Sequence, residues 1–64
     1  MSEDEFYLAL NNGKEVYYPE EDLLFYNSHG DIYIFKEKTK ITLGLMNTEF
    51  NWPFDKMFII NEKG

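Results

Sequence analysis

A histidine beside a serine, a group of carboxylates and a run of lysines among rings are the residues of this chain whose types could do chemistry. His29 is the one histidine, with Ser28 before it and Gly30 after it. A serine nucleophile needs a base held at hydrogen-bond distance by the fold and donors for the oxyanion, and adjacency in sequence supplies neither. An ordinary solvated imidazole in a turn is the expectation. Glu20, Glu21, Asp22 and Asp31 offer hard oxygen ligands, but a calcium loop alternates its acids around a glycine, and that spacing is missing. Cysteine is absent, which removes zinc thiolates and a thiol nucleophile together. Paired carboxylates also cleave glycosidic bonds, yet that work needs a cleft larger than 64 residues build. Gly13, Gly30, Gly44 and Gly64 are too scattered to cradle a phosphate. The chain reads as a binding protein with no enzymatic activity, no cofactor and no metal.

Two groups could carry binding. Lys36, Lys38 and Lys40 follow Tyr33 and Phe35, and basic residues interleaved with rings on a sheet suit nucleic acid. Lysines at a hairpin tip also guard a sheet edge against aggregation, and that reading is preferred here. Phe50, Trp52 and Phe54 surround Pro53. Trp52 is either a plug closing the open end of the sheet or an exposed anchor, since Trp and Tyr dominate interface hot spots.

Charge narrows the partner. Residues 1–31 hold eight acids against Lys14 alone, a net −7, while residues 32–64 hold four acids and five lysines, a net +1. Arginine is missing. Phosphate binding is driven by counterion release at Lys and Arg, so the first half repels nucleic acid. An acidic surface serves solubility, or it meets a basic partner.

These groups must be positioned by a small fold. A chain of 64 residues makes a single domain, 1–64, and buries only about 60% of its unfolded surface. One Trp, five Tyr and six Phe supply the core, and any surplus of rings would lie exposed as a contact patch. No apolar run reaches the roughly 20 residues of a membrane span. The acidic start, Met1 to Glu5, lacks the basic region of a secretory signal, so a cytosolic protein, bacterial or phage-encoded, is expected.

Ser2-Glu3-Asp4-Glu5 forms a capping box, Phe6 and Leu10 share a helical face, and Gly13 suits the left-handed residue after a helix end. A helix over 3–11 follows. The competing element is a strand turning at Asn12-Gly13, which would make the fold all-β. Strands are expected near 15–18, 23–27, 31–36, 40–46 and 57–60, with 23–46 an antiparallel meander, 47–54 a loop or single turn, and 61–64 a polar tail. In the fourth strand, alternation puts Ile41, Leu43 and Leu45 on one face. The fold class is α+β, a short N-terminal helix packed on a small, mainly antiparallel sheet.

Asp4-Glu5-Phe6-x-x-Ala9-Leu10-Asn11-Asn12-Gly13 resembles the opening of the paratox family, small prophage-encoded streptococcal proteins. After a short insertion, Asp22 to Tyr26 and Gly30 to Tyr33 are similar to the family's next strand, turn and strand, and the likeness ends near residue 35. It implies a helix packed on a sheet with an acidic face that binds the DNA-binding domain of a competence regulator and keeps it off DNA. Two of the family's acidic contacts correspond to Asn11 and Ile34 here. Asn12 to Pro19, Asp22 to Tyr26 and Lys56 to Asn61 resemble segments of LytTR-type DNA-binding domains, without that family's basic contact residues or its last strand.

The resulting expectation is an acidic inhibitor or adaptor that covers the basic face of a partner such as a DNA-binding protein. Glu15, Tyr17, Glu20, Glu21, Asp22, Asp31, Tyr33 and Trp52 are the expected contacts. The alternative is a nucleic-acid module built on the lysine-aromatic hairpin.

Overall fold

The computed structural model describes the backbone of residues 1–62 and the side chains through Ile60. Helix α1 (Glu3–Asn11) starts where the capping box places it. The Glu5 amide donates to Ser2 Oγ at 3.2 Å, and the Glu5 carboxylate accepts from the Ser2 amide at 2.8 Å. Three acids in the first turn complement the helix dipole. The helix ends at Gly13, whose φ of +80° costs a glycine little and whose amide donates to the Leu10 carbonyl at 3.1 Å. The strand alternative for these residues is thereby excluded.

Five strands follow: β1 (Lys14–Tyr18), β2 (Leu23–Ser28), β3 (Asp31–Lys36), β4 (Ile41–Leu45) and β5 (Phe58–Glu62). They form one sheet in the order β4-β3-β2-β1-β5, and every pair is antiparallel. The protein is therefore α+β, one helix on a five-stranded antiparallel sheet. The β2–β3 turn is His29-Gly30, both with positive φ, the backbone that matches the right-handed twist of a two-residue hairpin.

Side-chain alternation divides the sheet into two unlike faces. Val16, Tyr18, Leu23, Phe25 and Ile34 point at the helix and join Phe6, Ala9 and Leu10 in the core. Phe6 is fully buried, with its ring 5.3 Å and edge-on from Phe25 and 4.9 Å from Phe54. The chain must cross from β4 at one edge to β5 at the other. It does so on the helix side, carrying Met46, Trp52, Phe54 and Met57 against the core, with one 3-10 turn at Phe54–Lys56. The opposite face has no helix over it among the described residues.

The boundaries differ from expectation mainly at the last two strands. Lys40 has a φ of 60° and closes the β3–β4 turn instead of opening β4. Met57 is buried under the crossing segment, so β5 begins at Phe58 and runs through Glu62, into the expected polar tail. Lys63 and Gly64 lie outside the described residues. Ile41, Leu43 and Leu45 do not share a face. Thr42 pairs with Phe35 and Gly44 with Ile34, which leaves Leu43 as the extra residue of a bulge. Gly44, at φ +133°, supplies the backbone that the bulge needs. Ile41 consequently lies opposite Lys36 on the helix side, and Leu45 lies opposite Tyr33 on the other face.

Candidate protein interface

The uncovered face is built by register. Tyr17 stands beside Leu24 and Phe58, Leu24 beside Phe35, Tyr26 beside Tyr33, and Tyr33 beside Leu45. Those positions are the odd members of β1 and β3 and the even members of β2, so a single pleat presents them all. The Tyr26 and Tyr33 rings stack at 5.7 Å with 21° between planes, and Tyr17 meets the edge of Phe58 at 6.0 Å. Leu24 is nearly buried on this face although no element lies over it, because the side chains of its neighbours close around it. Tyr17, Tyr26, Tyr33 and Phe35 remain half-buried, while Phe58 and Leu45 are 49% and 63% exposed. This contiguous, partly open aromatic surface is the candidate contact site.

Acids frame this surface at both ends. Glu15 and Asp31 project beyond the rings at the end of the His29-Gly30 turn, and Asp22 and Glu37 stand at the opposite end. No lysine occupies a described strand position of this face; Lys36 pairs with Leu23 and Ile41 on the helix side. Asp22 has a structural role besides its charge. At φ 57° it closes the β1–β2 turn, accepts the Tyr17 hydroxyl at 2.6 Å on Oδ1 and the Lys38 amide at 2.8 Å on Oδ2.

Those two bonds, the Tyr17 hydroxyl first, hold the Asp22 carboxyl below the ordinary carboxylate range. The same bond, with burial and the charges of Asp22 and Glu37, holds the Tyr17 hydroxyl above its ordinary value. A carboxyl lowered by folding stabilises the fold above its unfolded pKa, and that stability is lost as pH falls through the lowered folded value. A raised tyrosine contributes fully below its unfolded pKa and loses the contribution as pH climbs through the raised one. Asp22→Asn is therefore expected to weaken the acid limb of the stability profile and to bring Tyr17 titration down. The Tyr17 ring resonances followed against pH read this directly, and an unchanged titration in Asp22→Asn would mean that the bond is not made in solution.

Of the expected contacts, Glu15, Tyr17, Asp31 and Tyr33 come together on this face and Asp22 stands at its border. The other three lie elsewhere. Glu20 accepts the Tyr18 hydroxyl at 3.1 Å and faces Lys56 at 3.6 Å. The Glu21 carbonyl accepts Lys36 Nζ at 2.8 Å on the helix side. Trp52 is half-buried on the helix side too, edge-on to Phe25 at 5.4 Å, its Nε1 donating to the Asn47 carbonyl at 2.7 Å. That is the arrangement of a plug. Tyr26, Leu45 and Phe58 belong to the open face and are not among the contacts expected from sequence, where Phe35 figures only in the lysine-aromatic hairpin. The signal was present: a single helix covers one face of a sheet, so rings on the alternate positions must stay open.

The lysine-aromatic hairpin does not form one patch. Tyr33 and Phe35 lie on the open face, Lys36 emerges on the other, and Lys40 pairs with Glu37 at 3.1 Å. Among the described residues no group of three or more His, Cys, Asp or Glu is gathered to hold a metal, and no helix is long and apolar enough to cross a membrane. No protein-family model, curated protein or solved structure matches the chain. Fold and surface alone define the class, an α+β domain with one acid-framed aromatic sheet face.

Proposed function

We propose that this protein is an inhibitor or adaptor of the bacterial or phage-infected cytosol that seats the basic surface of another protein on its open sheet face. The observation that carries this reading is the combination of half-exposed rings and framing acids on one face. Arginine is the side chain that uses both, since its guanidinium stacks on aromatic rings and pairs with carboxylates in a fork. The natural target is a surface rich in arginine, such as a DNA-binding protein turns to phosphate, and covering it would keep DNA away. The resemblance of residues 4–35 to the paratox family points the same way.

The test reverses Glu15 and Asp31 to lysine, since both are strand positions whose side chains have no hydrogen-bond or ion-pair partner among the described residues; Asp22 is spared because it closes a turn. Partners captured from bacterial lysate by the wild type would be identified by mass spectrometry and their binding kinetics measured. The double variant is expected to slow association by on the order of tenfold at low salt, with dissociation little changed, and the wild-type complex should weaken as salt rises. Equal association rates for the two proteins would remove this face from the interface.

The stacked Tyr26–Tyr33 pair supports a second reading, a platform for the bases of single-stranded nucleic acid. The acids around it oppose the backbone phosphates. Labelled oligonucleotides titrated at physiological salt separate the readings: submicromolar binding, tighter than the roughly 10⁻⁴–10⁻⁶ M of non-specific contact, would favour the platform.

A further inference from the structure

We infer that two copies of this chain pair antiparallel along the outer edge of β4, joining two five-stranded sheets into one continuous sheet. The inference concerns the outer edge of the sheet, which meets the proposed partner-binding face at Leu45 and Asp31. Lys40 and Met46 donate their amides inward, to the carbonyls of Lys36 and Ile32 at 2.7 and 2.8 Å. The bulge shifts the alternation, so Thr42 and Leu45, opposite Phe35 and Tyr33, turn their backbone groups to the outer side, where no strand lies among the described residues. Sheet edges are ordinarily protected by charge, proline or a bulge; Ile41-Thr42-Leu43-Gly44-Leu45 contains no charge and no proline, and only the bulge at Leu43–Gly44 interrupts it. Its three large side chains are all more than half exposed. The bulge turns Leu43 toward the helix side, where it borders a groove of about 560 Å³ walled by Ile34, Phe50 and Trp52. A strand laid along β4 would cover Leu43 and place an apolar side chain in that groove.

Charge selects a second copy as that strand. Lys38 and Lys40 stand at the start of β4 with Glu37, and Asp22 beside them is turned inward to Tyr17 and the Lys38 amide. At the other end Met46 bonds to Ile32, which puts Asp31 beside it, and Glu49 follows in the turn that begins at Asn47. Antiparallel pairing about a two-fold axis near Leu43 brings the lysine end of each copy against the acidic end of the other, so the edge is complementary to itself. The axis is perpendicular to the sheet, and both aromatic faces then point the same way as one surface of double width. A pair of five-residue strands buries less than a standard interface, so the dimer is weak, with a dissociation constant of about micromolar order or above.

Sedimentation velocity from micromolar to millimolar protein reads this. The wild type is expected to dimerise across that range and Leu43→Lys to stay monomeric with an unchanged circular dichroism spectrum. Lys40→Glu alone and Glu49→Lys alone each place like charges together twice, and each should dimerise at least tenfold more weakly. An equimolar mixture of the two variants makes both cross-pairs attractive and should restore association to near the wild-type level. A wild type that is monomeric at millimolar concentration, or a mixture no better than either variant alone, overturns the inference. If instead the wild type stays monomeric and a foreign strand protects the β4 amides from exchange, the occupant is a partner protein and the dimer is refuted. Loss of the dimer with retained capture of a basic partner would leave the open-face reading standing.

Discussion

Phe6→Ala is expected to leave a chain that is largely unfolded at room temperature. Phe6 is fully buried and its ring touches Phe25 from β2, Phe54 from the crossing segment and Tyr7 of the helix. Truncating a buried Phe costs about 3–5 kcal/mol, through lost transfer energy and the cavity left behind. At roughly 0.05–0.15 kcal/mol per residue, a domain of this length has about 3–10 kcal/mol in total. Phe6 and Leu10 are the fully buried anchors of α1, and a helix of nine residues is too short to persist alone in water. Far-UV circular dichroism and urea titration check the result. Phe50→Ala serves as the control: that ring is 56% exposed, and its loss should shift the midpoint little. A Phe6→Ala protein with a wild-type midpoint would show that the helix does not depend on this ring.

Local signals made α1 legible from sequence. The capping box and Gly13 act within a few residues, and no tertiary contact is needed to place either helix end. The meander was legible for the same reason, since the turn formers of 27–30 separate two apolar runs, although Asn27 and Ser28 extend β2 and only His29-Gly30 turns. What sequence did not reveal was anything that depends on register. The bulge at Leu43–Gly44 exists because Gly44 adopts φ +133° opposite Ile34, and the amino acids alone do not say which strand will pair there. Missing the bulge put Ile41, Leu43 and Leu45 on one face. Trp52 was ambiguous because its burial depends on a crossing segment whose path is set by β5 reaching the far edge of the sheet. The acids were legible as a charge asymmetry, but their sorting between the open face and the helix side follows from the parity of each strand.

The open face is also where a substitution separates binding from folding. Tyr33→Ala removes a half-exposed ring whose described ring contact is the stack with Tyr26, so its cost to stability is about 1 kcal/mol. Its expected cost to partner binding is larger. Tyr33 lies on the central part of the face, between Tyr26 and Leu45, where a docked surface would exclude water most completely. Central aromatic anchors of this kind lose roughly 2 kcal/mol or more on truncation, about a thirtyfold loss of affinity, expressed mainly as faster dissociation. Tyr33→Phe keeps the ring and should bind within a few-fold of wild type, which distinguishes stacking from a hydroxyl contact. Glu15→Lys with Asp31→Lys should slow association instead, because framing charges steer the encounter while the rings hold the complex. Calorimetry and surface-binding kinetics on the captured partner, beside urea titrations of each variant, give both quantities. Tyr33→Ala binding as the wild type does, while Phe50→Ala on the opposite side loses affinity, would move the interface to the groove beside Trp52 and reject the open face.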